Sequence, residues 1–127
     1  MYTYYDYILA SGKNETIYND VTNNLIKRAA QHKRKEVKGF TGKHEVNKLV
    51  WYEQTNDISI AIKREKQIKK WNRKWKIRLI EKENPEWNDL IYFSLLMAIL
   101  ISLVCSYHTS LFTSYFSANP FTSFLLC

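Results

Sequence analysis

The first 89 residues contain no cysteine; both cysteines, Cys105 and Cys127, come later. A disulfide framework or a cysteine-bound zinc is therefore excluded from that part of the chain, a composition that suits a reducing compartment. Glycine and proline are also scarce, three and two in 127 residues, which excludes collagen-like and linker-rich architectures. Acidic residues number twelve against nineteen Lys and Arg, giving a net charge of +7, so an acidic disordered tail is excluded. Charge of either sign is missing after Asp89: residues 90–127 form an uncharged block. The whole excess of positive charge thus belongs to a head of 89 residues, long enough for one small domain. Such a basic head makes a polyanion the default partner. The opening Met1-Tyr2-Thr3-Tyr4-Tyr5-Asp6 has neither the basic start nor the apolar core of a signal peptide. The head is expected to remain in the cytoplasm.

Along the head, Tyr4–Leu9 and Thr16–Val21 are short β-prone runs separated by the turn-like Ala10-Ser11-Gly12-Lys13-Asn14. Thr22-Asn23 offers an N-cap for a helix reaching about Lys35, and Lys38–Asn47 is polar, basic and expected as an exposed loop. Lys48–Glu53 reads as a third strand. Asp57 should cap a helix from Ile58 to about Trp71, and Asn72 a further helix to Lys82, which Asn84-Pro85 ends. The order β-β-α-β-α-α predicts an α/β domain: a small three-stranded antiparallel or mixed sheet flanked by helices, followed by a hydrophobic C-terminal helix or tail.

Lys63–Arg78 holds nine Lys or Arg and one acid, Glu65. One carboxylate among nine cations leaves little scope for internal pairing, so the run is suited to a phosphate backbone. Its two tryptophans, Trp71 and Trp75, share a helix face and are expected in the core. Glu65 falls on the apolar stripe of Ile58, Ala61, Ile62 and Ile68. A carboxylate placed there is costly unless it is paired or holds a cation. Periodicity leaves two readings open, a metal ligand or an edge-of-stripe pair with Lys69. Arg28 and His32, four apart near the apolar border of the first helix, can grip one phosphate or serve as ordinary surface residues. Tyr7 and Tyr18 lie in the two hairpin strands, where packing is the commonest role of a tyrosine.

Several segments in order resemble the GIY-YIG nuclease family, in particular its small single-domain bacterial branch and, more distantly, the nuclease domain of the bacterial excision-repair C subunit. Tyr5-Asp6-Tyr7-Ile8-Leu9 stands where the first motif belongs, and Tyr18-Asn19-Asp20-Val21-Thr22 where the second does. Asn24–Arg28 and Gln31-His32-Lys33 are similar to the helix carrying the family arginine and histidine. Lys38-Gly39-Phe40-Thr41 and Leu49–Glu53 look like the branch's loop and third strand. Ala61–Lys69 resembles the helix of the metal-binding glutamate, and Asn84-Pro85-Glu86-Trp87 the closing signature.

The resemblance implies a metal-dependent endonuclease that hydrolyses DNA phosphodiester bonds, with Tyr7, Tyr18, Arg28, His32 and Glu65 as its catalytic set. Glu65 would hold one divalent metal, Mg²⁺ or else Mn²⁺, and no organic cofactor is implied. Tyr7 would act as general base assisted by Tyr18 and His32, with Arg28 stabilising transition-state charge. Lys33, Lys35, Lys38, Lys63, Lys66, Lys69, Lys70, Arg73 and Lys74 are the expected nucleic-acid contacts. Three positions depart from the family pattern: Asp6 replaces an apolar strand residue, Asn19 an isoleucine and Asp20 a glycine. These put polar groups into strands that should be partly buried, and the loss of the glycine raises the question of backbone strain. The alternative function is a nucleic-acid-binding module weakened or inactivated by these changes. The domain division is expected at 1–89 and 90–127. The run 90–107 is expected either to span a bilayer, anchoring the head, or to be a read-through extension, with soluble packing a third reading. Oligomeric state, DNA preference and pathway are left open.

Overall fold

The computed structural model describes residues 2–107, and the side chains of 93–95 and 105–107 are not described. Its elements are β1 (Tyr4–Ala10), β2 (Ile17–Thr22), α1 (Leu25–Lys33), α2 (Phe40–Lys43), β3 (Lys48–Thr55), α3 (Ile58–Lys70), α4 (Arg73–Glu83) and α5 (Leu90–Tyr107). The three strands form an antiparallel sheet in the order β2-β1-β3. Two compact units are distinguished, one ending at Ile91 and the other beginning at Tyr92.

The helix starts follow from local chemistry. The side chain of Asn24 accepts from the Lys27 amide at 3.0 Å, Asp57 from Ser59 at 2.7 Å and Asn72 from Trp75 at 3.0 Å. Each satisfies an amide that has no partner within its helix. The first cap is one residue beyond the expected Thr22-Asn23; Thr22 instead ends β2 and accepts from the Asn24 amide at 3.1 Å.

β1 has a bonded neighbour on each edge, and its residues Tyr7 to Ala10 are almost fully buried. Alternation sends them to two layers. Tyr7 and Leu9 pack with Leu25, Ala29, Val46, Leu49 and Ile91. Ile8 and Ala10 pack with Val50, Trp51, Ile68, Ile80 and Trp87. A bulge in the β1–β3 register between Ile8 and Leu9 explains why Val50 and Trp51, consecutive in β3, both reach the second layer. At the end of α4, the buried Asn84 side chain donates to the carbonyls of Val50 and Asn88, at 3.0 and 2.9 Å. This pins the Asn84–Trp87 turn onto β3 and seats Trp87 in the second layer.

Two expectations are corrected. The loop 38–47 contains the short helix α2, and Thr41 and Val46 within it are buried rather than exposed. Val46 fills the first layer and Thr41 bonds to a buried histidine, so two inward residues draw a basic loop onto the domain. Trp75 is 51% exposed and does not join the core, because the stripe of α4 that faces the second layer runs through Ile77 and Ile80. Finally, among the described residues no helix is long and apolar enough to cross a membrane. The bilayer reading of 90–107 therefore has no support, and its extension to Phe116 lies outside the described residues.

Asp6 enters this fold at a cost. It is 3% exposed and its Oδ1 has no hydrogen-bond partner. Burial, then repulsion from Glu53 and Glu65 with partial relief from Arg64, raises its pKa from 3.8 to about 7. A group raised on folding contributes fully below its unfolded value, and that contribution is lost as pH climbs through the folded value. Asp6 therefore penalises the folded state increasingly from pH 4 to above 7. In urea unfolding, Asp6→Val is expected to be more stable than the parent at pH 8 by roughly 2–4 kcal/mol, and the gap should shrink steadily toward pH 4.

Candidate active site

Four of the five expected catalytic side chains meet over the first layer. Tyr7 comes from the central strand, Tyr18 from the outer strand two register positions away and so on the same face, and Arg28 and His32 from successive turns of α1. The i, i+4 spacing on α1 sets the last two side by side. The Tyr7 hydroxyl lies 3.3 Å from Nε2 of His32 and accepts from Nε of Arg28 at 3.4 Å. The His32 ring is 5.8 Å from the Tyr18 ring, centre to centre, and its Nδ1 is 3.1 Å from Oγ1 of Thr41.

These contacts constrain the protonation states. Burial, reinforced by the Arg28 charge and opposed by Asp20, lowers the His32 pKa below its usual 6.5. The ring is therefore neutral at pH 7. In the tautomer with the proton on Nδ1, donated to Thr41, Nε2 is an acceptor for the Tyr7 hydroxyl. Burial raises the Tyr7 pKa well above 10, against the lowering effect of the Arg28 hydrogen bond. The phenol is thus the resting form. Arg28 is held charged, chiefly by that same bond to Tyr7.

Asp20 is joined to this group. It accepts the Tyr18 hydroxyl at 3.0 Å through Oδ2 and the Val21 amide at 2.9 Å through Oδ1, and its Oδ2 lies 3.7 Å from Nη2 of Arg28. With burial, its charge lifts the Tyr18 pKa to about 12. The expected backbone problem at this position is absent: Asp20 pairs regularly with Tyr7 and is not among the described residues with positive φ. What the aspartate changes is the local charge.

Glu65 approaches from α3. Its residue is buried and its carboxylate pairs with Lys69, while Asn19, between Tyr18 and Asp20, is buried and donates to the Glu65 carbonyl at 3.4 Å. Glu65 contributes to the raised pKa of both Tyr18 and Asp6. Glu65 is thus an i, i+4 pair with Lys69 and also a buried carboxylate whose charge is felt at Tyr18. Among the described residues no group of three or more His, Cys, Asp or Glu is arranged to hold a metal. One carboxylate with no cage around it fits a hard cation that keeps most of its waters, as Mg²⁺ does, and does not fit a closed zinc-type site.

The expected nucleic-acid contacts divide by position. Lys63, Lys66 and Lys70 form a solvent-facing stripe on α3, and Lys38 and Lys74 are exposed as well. Lys33 bonds to Asp89 and to the Asn47 carbonyl, Lys35 to Glu45 and Lys69 to Glu65. Arg73 donates to the carbonyls of Asn14 and Glu15, tying α4 to the β1–β2 turn. Thr41 is the residue that reasoning from sequence missed. Its signal was present, a hydroxyl in the loop quoted as Lys38-Gly39-Phe40-Thr41, but nothing in the sequence showed that it meets His32.

Comparison with known proteins gives two matches. A family model described as the GIY-YIG catalytic domain matches residues 3–78. A UPF0213 protein from Syntrophus aciditrophicus (strain SB) is 40% identical over 83 residues, covering 65% of this chain and 93% of the relative. No solved structure gives a significant match.

Replacing Asp20 by asparagine removes the carboxylate charge at nearly constant size. In Asp20→Asn, NMR titration should place the Tyr18 pKa below about 12 and the His32 pKa lower than in the parent, since Asp20 raises both. Unchanged titrations would show that the aspartate does not face these rings.

Proposed function

The chain belongs to the GIY-YIG family, and from that premise we propose that it is a metal-dependent endonuclease that hydrolyses DNA phosphodiester bonds. The observation that carries this reading is the Tyr7 hydroxyl, held between the guanidinium of Arg28 and the neutral ring of His32. Such a hydroxyl is equipped to lose a proton at one side while its oxygen is stabilised at the other.

The residues divide the work as follows. The Tyr7 proton passes to Nε2 of His32, whose Nδ1 is anchored by Thr41, while the Tyr7 oxygen takes a proton from the attacking water. The water oxygen bonds to phosphorus as the bond to the leaving oxygen breaks, and solvent protonates the leaving group. Arg28 faces the negative charge that gathers on the phosphoryl oxygens. Tyr18 packs against His32 and limits its motion. Glu65 would hold the divalent cation, Mg²⁺ or Mn²⁺, which when bound supplies positive charge against the non-bridging oxygens of the scissile phosphate. The exposed lysines of α3 and α4 would take the flanking phosphates.

Asp20 works against this arrangement. Opposite unit charges about 4 Å apart attract by about 1 kcal/mol in water and about 4 kcal/mol near a protein surface, so the carboxylate competes with phosphate for Arg28. It also holds the Tyr18 hydroxyl. The reading is therefore of an active but attenuated enzyme rather than an inert binding module.

Supercoiled plasmid nicking tests this with the full chain. Nicking is expected with Mg²⁺, none with chelator and none in Glu65→Gln. Asp20→Gly should nick about tenfold faster than the parent, the equivalent of about 1.4 kcal/mol. Plasmid that is retarded but never cut, in the parent and in Asp20→Gly alike, would favour the binding module.

A further inference from the structure

Outside the catalytic group, one surface feature combines exposed aromatic area with unopposed positive charge. A shallow groove of about 330 Å³ is lined by Trp71, Trp75, Arg78, Leu79 and Lys82. Trp75, Arg78, Leu79 and Lys82 fall on one face of α4, and Trp71 closes the end of α3. The lining includes two cations and no acid. Of the two acids flanking Lys82 in sequence, Glu81 accepts from Nε1 of the buried Trp87 at 3.1 Å, and Glu83 is exposed and does not line the groove.

Within the groove the aromatic groups form a short series with one end open. The guanidinium of Arg64 lies 5.2 Å from the Trp71 ring centre, and Trp71 meets Trp75 edge to face at 6.0 Å and 81°. Trp71 is thereby engaged on both sides. Trp75 is engaged on one and is 51% exposed, leaving on the order of 100 Å² of ring in water. A flat apolar ring flanked by Arg and Lys suits a ligand that is itself flat, aromatic and anionic. An unpaired nucleotide has all three properties: its base stacks on the ring and its phosphate meets the cations. A base inside a duplex is stacked on its neighbours and offers no free face, so the groove distinguishes single-stranded from paired nucleic acid.

The location fits the proposed reaction. Arg64, which covers Trp71, adjoins Glu65 in sequence, and Trp71, the C-cap of α3, lies six residues beyond Glu65, about 9 Å by helical rise. We propose that Trp75 is a base-stacking platform, with Arg78 and Lys82 as its phosphate contacts, by which this chain engages unpaired nucleotides flanking the site of cleavage. This rests on the nucleic-acid reading above and narrows its substrate to strands containing an unpaired stretch.

The test measures binding by the full chain in chelator, where cleavage does not interfere, using a short oligothymidylate and a blunt duplex of equal length. Oligothymidylate should quench tryptophan fluorescence, and Trp75→Ala should weaken its binding about tenfold while leaving duplex binding unchanged. Trp75→Phe should retain most of the affinity and lose the quenching, which separates stacking from a folding defect. Equal affinity of the parent and Trp75→Ala for oligothymidylate, with duplex still bound, overturns the platform alone. Failure to bind either nucleic acid overturns the nucleic-acid reading with it. A change in the sedimentation of protein alone in Trp75→Ala, with oligothymidylate affinity intact, would assign the groove to a second copy and also overturn the proposal.

Discussion

The central strand β1 governs the rest of the domain. It is hydrogen-bonded on both edges and covered on both faces, so every side chain along it is committed either to packing or to chemistry. Tyr7 satisfies both demands. Its ring completes the first layer with Leu9 and Leu49, while its hydroxyl projects to Arg28 and His32. Burial of the ring holds the hydroxyl between these two groups, and the same burial raises its pKa. Packing and hydrogen bonding at this residue are consequences of one placement. Asp6, its neighbour, faces the opposite layer under the same constraint but without a partner for Oδ1, and it carries the corresponding penalty.

The three departures from the family pattern are therefore unequal. Asp6 acts on stability, because the charges that act on it are Glu53, Arg64 and Glu65, none of them among the four residues over the first layer. Asn19 is buried but bonded to the Glu65 carbonyl, so it supports α3 where the carboxylate needs to be held. Asp20 acts on chemistry. It leaves the strand regular and places a negative charge against Tyr18 and Arg28. A domain carrying all three is altered twice, in its fold by Asp6, whose penalty fades toward acid, and in the charge around Tyr18 and Arg28 by Asp20.

Much of this was legible in the sequence because it was local. The caps at Asp57 and Asn72 are decided by a side chain two or three residues from its amide, and the strand runs by alternation and β-branching, so both were placed within a residue or two. The pairing of Arg28 with His32 follows from helical spacing alone. What was not legible depends on contacts distant in sequence. Thr41 is nine residues from His32, and no period connects them. Val46 is one apolar residue in a polar stretch, too little for a pattern, yet it fills a gap beside Leu49. Trp75 is exposed: four-residue spacing sets two tryptophans on a shared face without deciding which face the sheet covers.

The positive charge of the head acquires a different meaning once the ion pairs are placed. Several cations that looked unopposed in sequence have carboxylate partners: Arg34 with Glu36, Lys35 with Glu45, Arg64 with Glu53, Lys69 with Glu65. Exposed pairs of this kind contribute about 0–1 kcal/mol each, so they do little to stabilise the fold and offer little resistance to a competing phosphate. The pair between Lys69 and Glu65 differs because its carboxylate is buried. Removing that lysine's charge without supplying another would leave a buried anion close to Tyr18 and Asp6, a cost of several kcal/mol. Lys69 thus serves as the counter-ion that makes the buried Glu65 carboxylate tolerable, so the surface pair read from the i, i+4 spacing is also what allows a carboxylate on the apolar stripe.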